Sequence, residues 1–148
     1  MDWPDPRLLL LAQAGASCAM AGLIWFVQVV HYPAYRFVGA AEMHRYQAHH
    51  QRATSWIVGP PMLVELAAAL LLVVRPLPEI HPGWGWSGLG LLGVIWASTA
   101  FWQVPLHLRI LNNGSAEDVG RLVRSNWLRT AGWSLRAALS LAMLATFS

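Results

Sequence analysis

The sequence has no lysine, one cysteine and little charge of either sign: Asp, Glu and Arg make up only 11% of its 148 residues. A soluble domain carries roughly 25% charged residues. This shortage excludes a water-covered globule and a charge-rich disordered chain. The lone cysteine, Cys18, excludes an internal disulfide and any Cys-based zinc or iron–sulfur centre. It lies in an apolar run and reads as a small core thiol. The ten basic residues are all arginines and form no dense run, so a net charge of +3 does not make nucleic acid a partner. No phosphate-cradling glycine loop, Gly-x-Ser-x-Gly elbow, Glu-x-x-His pair or His-x-x-x-His pair occurs.

Apolar residues and tryptophan are abundant instead. Hydrophobic residues reach 56%, and there are nine Trp. Tryptophan gathers where an apolar body meets a wet edge, as in membrane-interface belts. Four apolar stretches stand out: 8–30 with no charge, 53–74 with Glu65, 84–106 with none, and 127–147 with Arg129 and Arg136. A spanning helix needs about 20 apolar residues. The sequence therefore predicts one all-α domain over 1–148, an integral membrane four-helix bundle. Its spans fall near 8–32, 53–75, 84–111 and 117–147, with a short interfacial helix after Gly39 between the first two.

The first stretch is too long for a signal-peptide core, and Met1-Asp2-Trp3-Pro4-Asp5 ahead of it is acidic, so it reads as an uncleaved span. Pro4 and Pro6 precede it. Arg75-Pro76-Leu77-Pro78 closes the second span and Asn112-Asn113-Gly114 the third. Ser115-Ala116-Glu117-Asp118 resembles a capping box that opens the fourth helix. Pro60 and Pro61 are expected to kink span two, and Pro33 and Pro105 to perturb the ends of spans one and three. The seam Ala12, Gly15, Ala16, Ala19 and Gly22 suits close helix contact, within the bundle or in a homo-oligomer.

Four spans put both termini on the side of Arg7 and Arg75. Arg36, Arg45, Arg52, Arg109, Arg121 and Arg124 fall on the other. The positive-inside rule makes the arginine-rich side cytoplasmic and the termini external, as for a multi-pass protein of a bacterial inner membrane.

Ionisable residues inside spans are costly unless paired or hydrated. Glu65 and Arg136 lie at similar depth and are expected to face each other, as a packing pair or as the anchor of a polar cavity. Arg121, Ser125, Arg129, Gly132 and Arg136 share one face of the fourth helix. Such a guanidinium ladder suits carboxylate or phosphate: an anionic headgroup, a substrate acid or haem propionates. Arg121, Asn126 and Trp133 are the candidate cofactor-binding residues. Trp96, Thr99, Gln103 and His107 share a face of span three. His50, Thr54 and Glu65 share one of span two, and span one ends in Gln28 and His31. Together they describe a polar funnel reaching Glu65 and Arg136. His31, His44, His49, His50 and His107 all map to its open end. Each reads either as an interfacial hydrogen-bonding residue or as a ligand for iron, haem or non-haem, or copper. His31, His50 and His107 are the first choices for a metal.

The segments Trp102-Gln103-Val104-Pro105-Leu106-His107 and Asn126-Trp127-Leu128-Arg129-Thr130, with a looser match at His31-Tyr32-Pro33, resemble the small four-helix membrane proteins of the anthrone oxygenase-like group. The resemblance covers about the last third of the chain. It departs at His107 and Gln103, where that group carries Asn. It implies a four-helix membrane fold and oxidation of lipophilic polycyclic phenols.

Three function classes follow. The favoured one is a membrane-embedded enzyme that oxidises or isomerises a lipophilic small molecule entering from the lipid bilayer. Arg129 and Arg136 would hold an anionic or enolate oxygen, Gln103 would line the site, and Glu65 would pair with Arg136 or carry a proton. His50 or His107 would ligate a metal or act as a general base. The second class is a proton or small-ion pathway or transporter subunit. The third is a structural membrane subunit whose polar residues only fix helix register.

Overall fold

The computed structural model describes residues 5–113 and 115–147. The expectations placed on Met1 to Pro4 and on Gly114 lie outside them. Four long helices make up the fold: α1 (Pro6–Phe37), α2 (Ala40–Val74), α3 (Pro82–Asn112) and α4 (Ala116–Thr146). Sequence neighbours pack on one another, α1 also packs on α4, and the diagonals stay apart at the backbone. The result is an up-down-up-down bundle. α1, α2 and α3 are each long and apolar enough to cross a membrane. α4 has the length, at 31 residues, but is not among them, because Arg129, Arg136 and other polar side chains dilute its apolar run.

The helix ends follow their capping residues. The Asp5 carboxylate accepts from the Arg7 amide at 2.8 Å, with Pro6 at the first helical position. His81 Nδ1 accepts from the Gly83 amide at 3.1 Å. The Ser115 hydroxyl oxygen accepts from the Asp118 amide at 3.1 Å and donates to the Asp118 carboxylate at 2.8 Å.

The helix expected after Gly39 merges with span two: Ala40–Val74 is one 35-residue α-helix that runs through Pro60 and Pro61. At 1.5 Å per residue it is about 52 Å long. In α1 and α3, proline takes effect further upstream than expected. Val27–His31 and Thr99–Gln103 are π-helical, and Pro33 and Pro105 each stand two residues beyond. A proline ring crowds the carbonyl four residues before it. Here those carbonyls belong to Val29 and Phe101, inside the widened π turns, where the i→i−4 bond is already abandoned.

The core is inverted relative to a soluble bundle. An apolar cluster near the termini holds Leu10, Leu72 and Met143, and one at the far end holds Met20, Tyr32, Ile110 and Leu122. Between them lie the buried polar residues Gln13, Ser17, Gln28, Glu65, Asn126, Arg129, Arg136 and Ser140. The outward faces carry Trp25, Trp56, Leu63, Trp86, Phe101, Trp127, Leu135 and Leu141, all exposed. Cys18 is also exposed, not a core thiol; it falls on the outward face of α1.

Close packing of α3 on α4 depends on two glycines. A methyl group at Gly88 would overlap Arg136 Nη1. One at Gly132 would stand 2.7 Å from Ile95 Cγ1, on a side chain with no exposure to yield into. Gly132→Ala is expected to destabilise the bundle by about 1–3 kcal/mol, despite the better helix propensity of alanine. Detergent-denaturation midpoints check this, and an unchanged or raised midpoint would contradict the packing.

Candidate functional site

The polar interior divides in two at Trp133. On its terminal side lies a closed network. Glu65, with no exposure, accepts from the Ser17 hydroxyl at 2.6 Å and from Trp133 Nε1–H at 3.0 Å. Arg136 Nε stands 3.8 Å from Glu65 Oε1, a Coulombic pair too long for a hydrogen bond. Arg136 Nη2 donates to Gln13 Oε1 at 3.0 Å, and Gln13 Nε2 points at Met143 Sδ at 3.2 Å. The expected meeting of Glu65 and Arg136 is thus present. Neither lines the cavities described below, so the expected funnel ends above them. The physical reason is the indole of Trp133, wholly buried across the bundle.

On the other side of Trp133, a cavity of about 240 Å³ lies among α1, α2, α3 and α4. Its polar lining includes Tyr32, His50, Gln51, Thr54, Thr99, Gln103, His107 and Arg129, with exposed Ser55, Val104 and Leu108 also lining it, at its rim between α2 and α3. Arg129 is 7% exposed. Its Nη1 donates to Asn126 Oδ1 at 3.1 Å, and the guanidinium lies 5.0 Å above the Trp133 ring. Asn126 is itself fixed by donating to Gln28 Oε1 at 2.8 Å. Among the described residues Arg129 has no carboxylate partner, and its Nε has no hydrogen-bond partner. Gln51 Nε2 and Gln103 Oε1 are likewise buried without partners, although Gln103 Nε2 donates to Ser125 Oγ at 2.9 Å. Buried polar atoms are ordinarily satisfied. Two orphan donors and one orphan acceptor on the lining of one cavity suit a ligand with a polar oxygen.

The histidines form a chain. His31 Nε2 and His50 Nδ1 lie 2.8 Å apart, and the Thr54 hydroxyl lies 3.1 Å from the same His50 nitrogen. Gln47 Nε2 donates to His107 Nδ1 at 2.6 Å and to the His107 carbonyl at 3.2 Å. That second contact fixes the amide orientation and leaves the His107 proton on Nε2. His107 Nε2–H then donates to the Tyr32 hydroxyl oxygen at 2.9 Å, so the Tyr32 proton is available to the cavity. His50 Nε2 has no hydrogen-bond partner among the described residues. Four of these six ring nitrogens bond to each other or to Tyr32, Gln47 and Thr54. Among the described residues no three His, Cys, Asp or Glu side chains are grouped as a metal site.

His50 and Thr54 also line a second cleft of about 240 Å³ between α1 and α2, with His31, Tyr46 and His49. His44 stands apart, its Nδ1 3.0 Å from the Leu111 carbonyl. Arg121 is exposed and paired with Glu117 at 2.6 Å. Of the sequence candidates, Arg129, Gln103, His50 and His107 therefore share one cavity. His31, Asn126 and Trp133 support it, whereas Glu65, Arg136, His44, His49 and Arg121 lie elsewhere. Tyr32, Gln47 and Gln51 were missed. Gln47 had a signal, since Gln47, Gln51 and Thr54 follow one another at offsets of 4 and 3 on α2. Tyr32 had little, because it follows a π turn that shifts the helical phase.

What the fold and site define is a polar-cored four-helix bundle with a polar-lined cavity opening between two apolar helices. No family model, curated protein or solved structure matches the chain.

Proposed function

We propose that this chain is a four-span membrane enzyme that moves a proton on a lipophilic small molecule bearing a carbonyl or phenolic oxygen. Its termini face the external side of a bacterial cytoplasmic membrane. The span reading is supported by the inverted polarity. From residue 126 onward the polar residues Asn126, Arg129, Thr130, Arg136 and Ser140 of α4 are buried, and its outer face there is Trp127, Leu128, Leu135 and Leu141. The orientation rests on the arginine distribution.

The single observation that carries the enzymatic reading is Arg129: a buried cation without a carboxylate partner among the described residues, lining a cavity whose rim carries Val104 and Leu108. The ligand enters from the bilayer between α2 and α3, and its oxygen sits against Arg129 and the Tyr32 hydroxyl. Both donors stabilise the negative charge that develops on that oxygen. His50 Nε2 takes the proton from the adjacent carbon or hydroxyl. His50 Nδ1–H passes its own proton to His31 Nε2, so the charge moves toward the half-buried end of α1. Return of a proton to a different carbon completes an isomerisation. Gln103 and Gln51 orient the ligand, Asn126 and Trp133 position Arg129, and the Glu65–Arg136 network braces the bundle. Oxidation of a phenol, as the anthrone oxygenase-like resemblance implies, would begin with the same deprotonation.

Deuterium incorporation tests this. A panel of lipophilic ketones and phenol tautomers is incubated in D₂O with the full chain in nanodiscs and read by mass spectrometry. Exchange into at least one compound above the empty-disc rate, lowered about 10²–10⁴-fold by His50→Ala, is the expected result. Exchange at the empty-disc rate across the panel, together with a proton flux in proteoliposomes abolished by Glu65→Ala, would replace it with the ion-pathway reading.

A further inference from the structure

A separate concave surface lies at the arginine-rich end, where α3 meets the start of α4. It encloses about 390 Å³ and is lined by Phe101, Trp102, Pro105 and Arg109 from α3 and by Arg121 and Arg124 from α4. Arg121 is neutralised locally by Glu117 and Asp118, at 2.6 and 3.9 Å. Arg109 and Arg124 have no carboxylate partner among the described residues, and both are exposed. Two unmatched guanidiniums converging on one groove are matched to a phosphodiester, which accepts paired N–H bonds. The apolar wall says where that phosphodiester comes from. Phe101 is 76% exposed and Trp102 is 54% exposed, a surface that suits an acyl chain and not a small hydrated ion. Trp102 and Arg109 lie about two helical turns apart on α3, so chain contact and headgroup contact stack along the helix axis.

We propose that this groove binds the headgroup of an anionic phospholipid, with its phosphate held by Arg109 and Arg124 and its acyl chain laid along Phe101 and Trp102. Basic pockets between membrane helices on the cytoplasmic side are suited to such headgroups. The site does not depend on the enzymatic reading, but it rests on the four-span one. Alkaline carbonate washing separates the two: a chain stripped from membranes refutes the spans before any lipid is added.

The experiment is native mass spectrometry of the full chain in dodecyl maltoside, titrated with phosphatidylglycerol or phosphatidylcholine. The parent is expected to retain phosphatidylglycerol in preference to phosphatidylcholine. Arg109→Gln/Arg124→Gln is expected to weaken that preference about thirtyfold. An Arg36→Gln/Arg45→Gln control, altering two arginines outside the groove, should leave it unchanged. Equal retention of the two lipids, or an equal loss in the control, would overturn the proposal. Displacement of phosphatidylglycerol by equimolar inorganic phosphate would also overturn it, in favour of a free-phosphate site. All four substituted arginines are exposed, and matching circular dichroism spectra confirm that the variants remain folded.

Discussion

Arg129→Gln is expected to lower deuterium exchange about 10²–10³-fold, the usual consequence of removing one preorganised donor from an oxyanion site. The same substitution should leave the fold nearly intact. Among the described residues no carboxylate depends on this guanidinium, so its removal strands no opposite charge. Asn126 Oδ1 loses a donor, which costs about 1 kcal/mol, and the Tyr32 hydroxyl keeps the His107 contact. Arg129→Lys should fall between the two, because an ammonium keeps the charge but not the planar fork over Trp133. The informative result is thus a split: activity collapses while the denaturation midpoint barely moves. A Gln variant as active as the parent would remove Arg129 from the chemistry. A variant that loses activity and fold together would point to a structural role for it.

The opposite split is expected two turns of α4 further on. Arg136→Leu should destabilise the bundle by about 3–5 kcal/mol, because it leaves a buried carboxylate without its counter-charge. Glu65 would keep the Ser17 and Trp133 donors, but two neutral donors do not replace a cation in a low-dielectric interior. Adding Glu65→Gln to Arg136→Leu removes the stranded charge. The double variant should therefore be more stable than Arg136→Leu alone. A double-mutant cycle in mixed micelles, titrated with a denaturing detergent, measures the coupling. Strictly additive effects would show that the pair is not coupled. The exchange assay adds a second reading: a folded double variant with parental exchange would assign Glu65 and Arg136 to support and not to the chemistry.

Hydropathy alone located the four long helices, since each apolar stretch falls on one of them. The helix start after Gly39 was legible too, because nothing in Ala40-Ala41-Glu42-Met43 opposes a helix; its full continuity through Pro60 and Pro61 was not. Helical periodicity also brought Gln103, His107 and Arg129 together correctly, because each lies on an inward face. It had no means of showing that Trp133 fills the width of the bundle, so the polar faces read as one continuous funnel. That division depends on the volume of a side chain from one helix meeting the other three, which no single-helix pattern contains. The His31–His50 contact was legible as a cluster but not as a hydrogen bond, because it depends on the π turn ahead of His31.

Those π turns decide where the site is sensitive to residue count as well as residue identity. Each holds one residue more than an α-helical turn needs. Loss of the extra residue within 100–102 would let α3 close up as an ordinary α-helix and leave His107 in phase with Tyr32 and Gln47. The cost there is the Pro105 ring, which would again crowd a carbonyl that the widened turn now frees. The same loss in the α-helical stretch between Gln103 and His107 has no such slack and would turn everything beyond it by about 100°. One-residue deletions in α1 and α3 should therefore be milder inside the π turns than in the regular helix beside them.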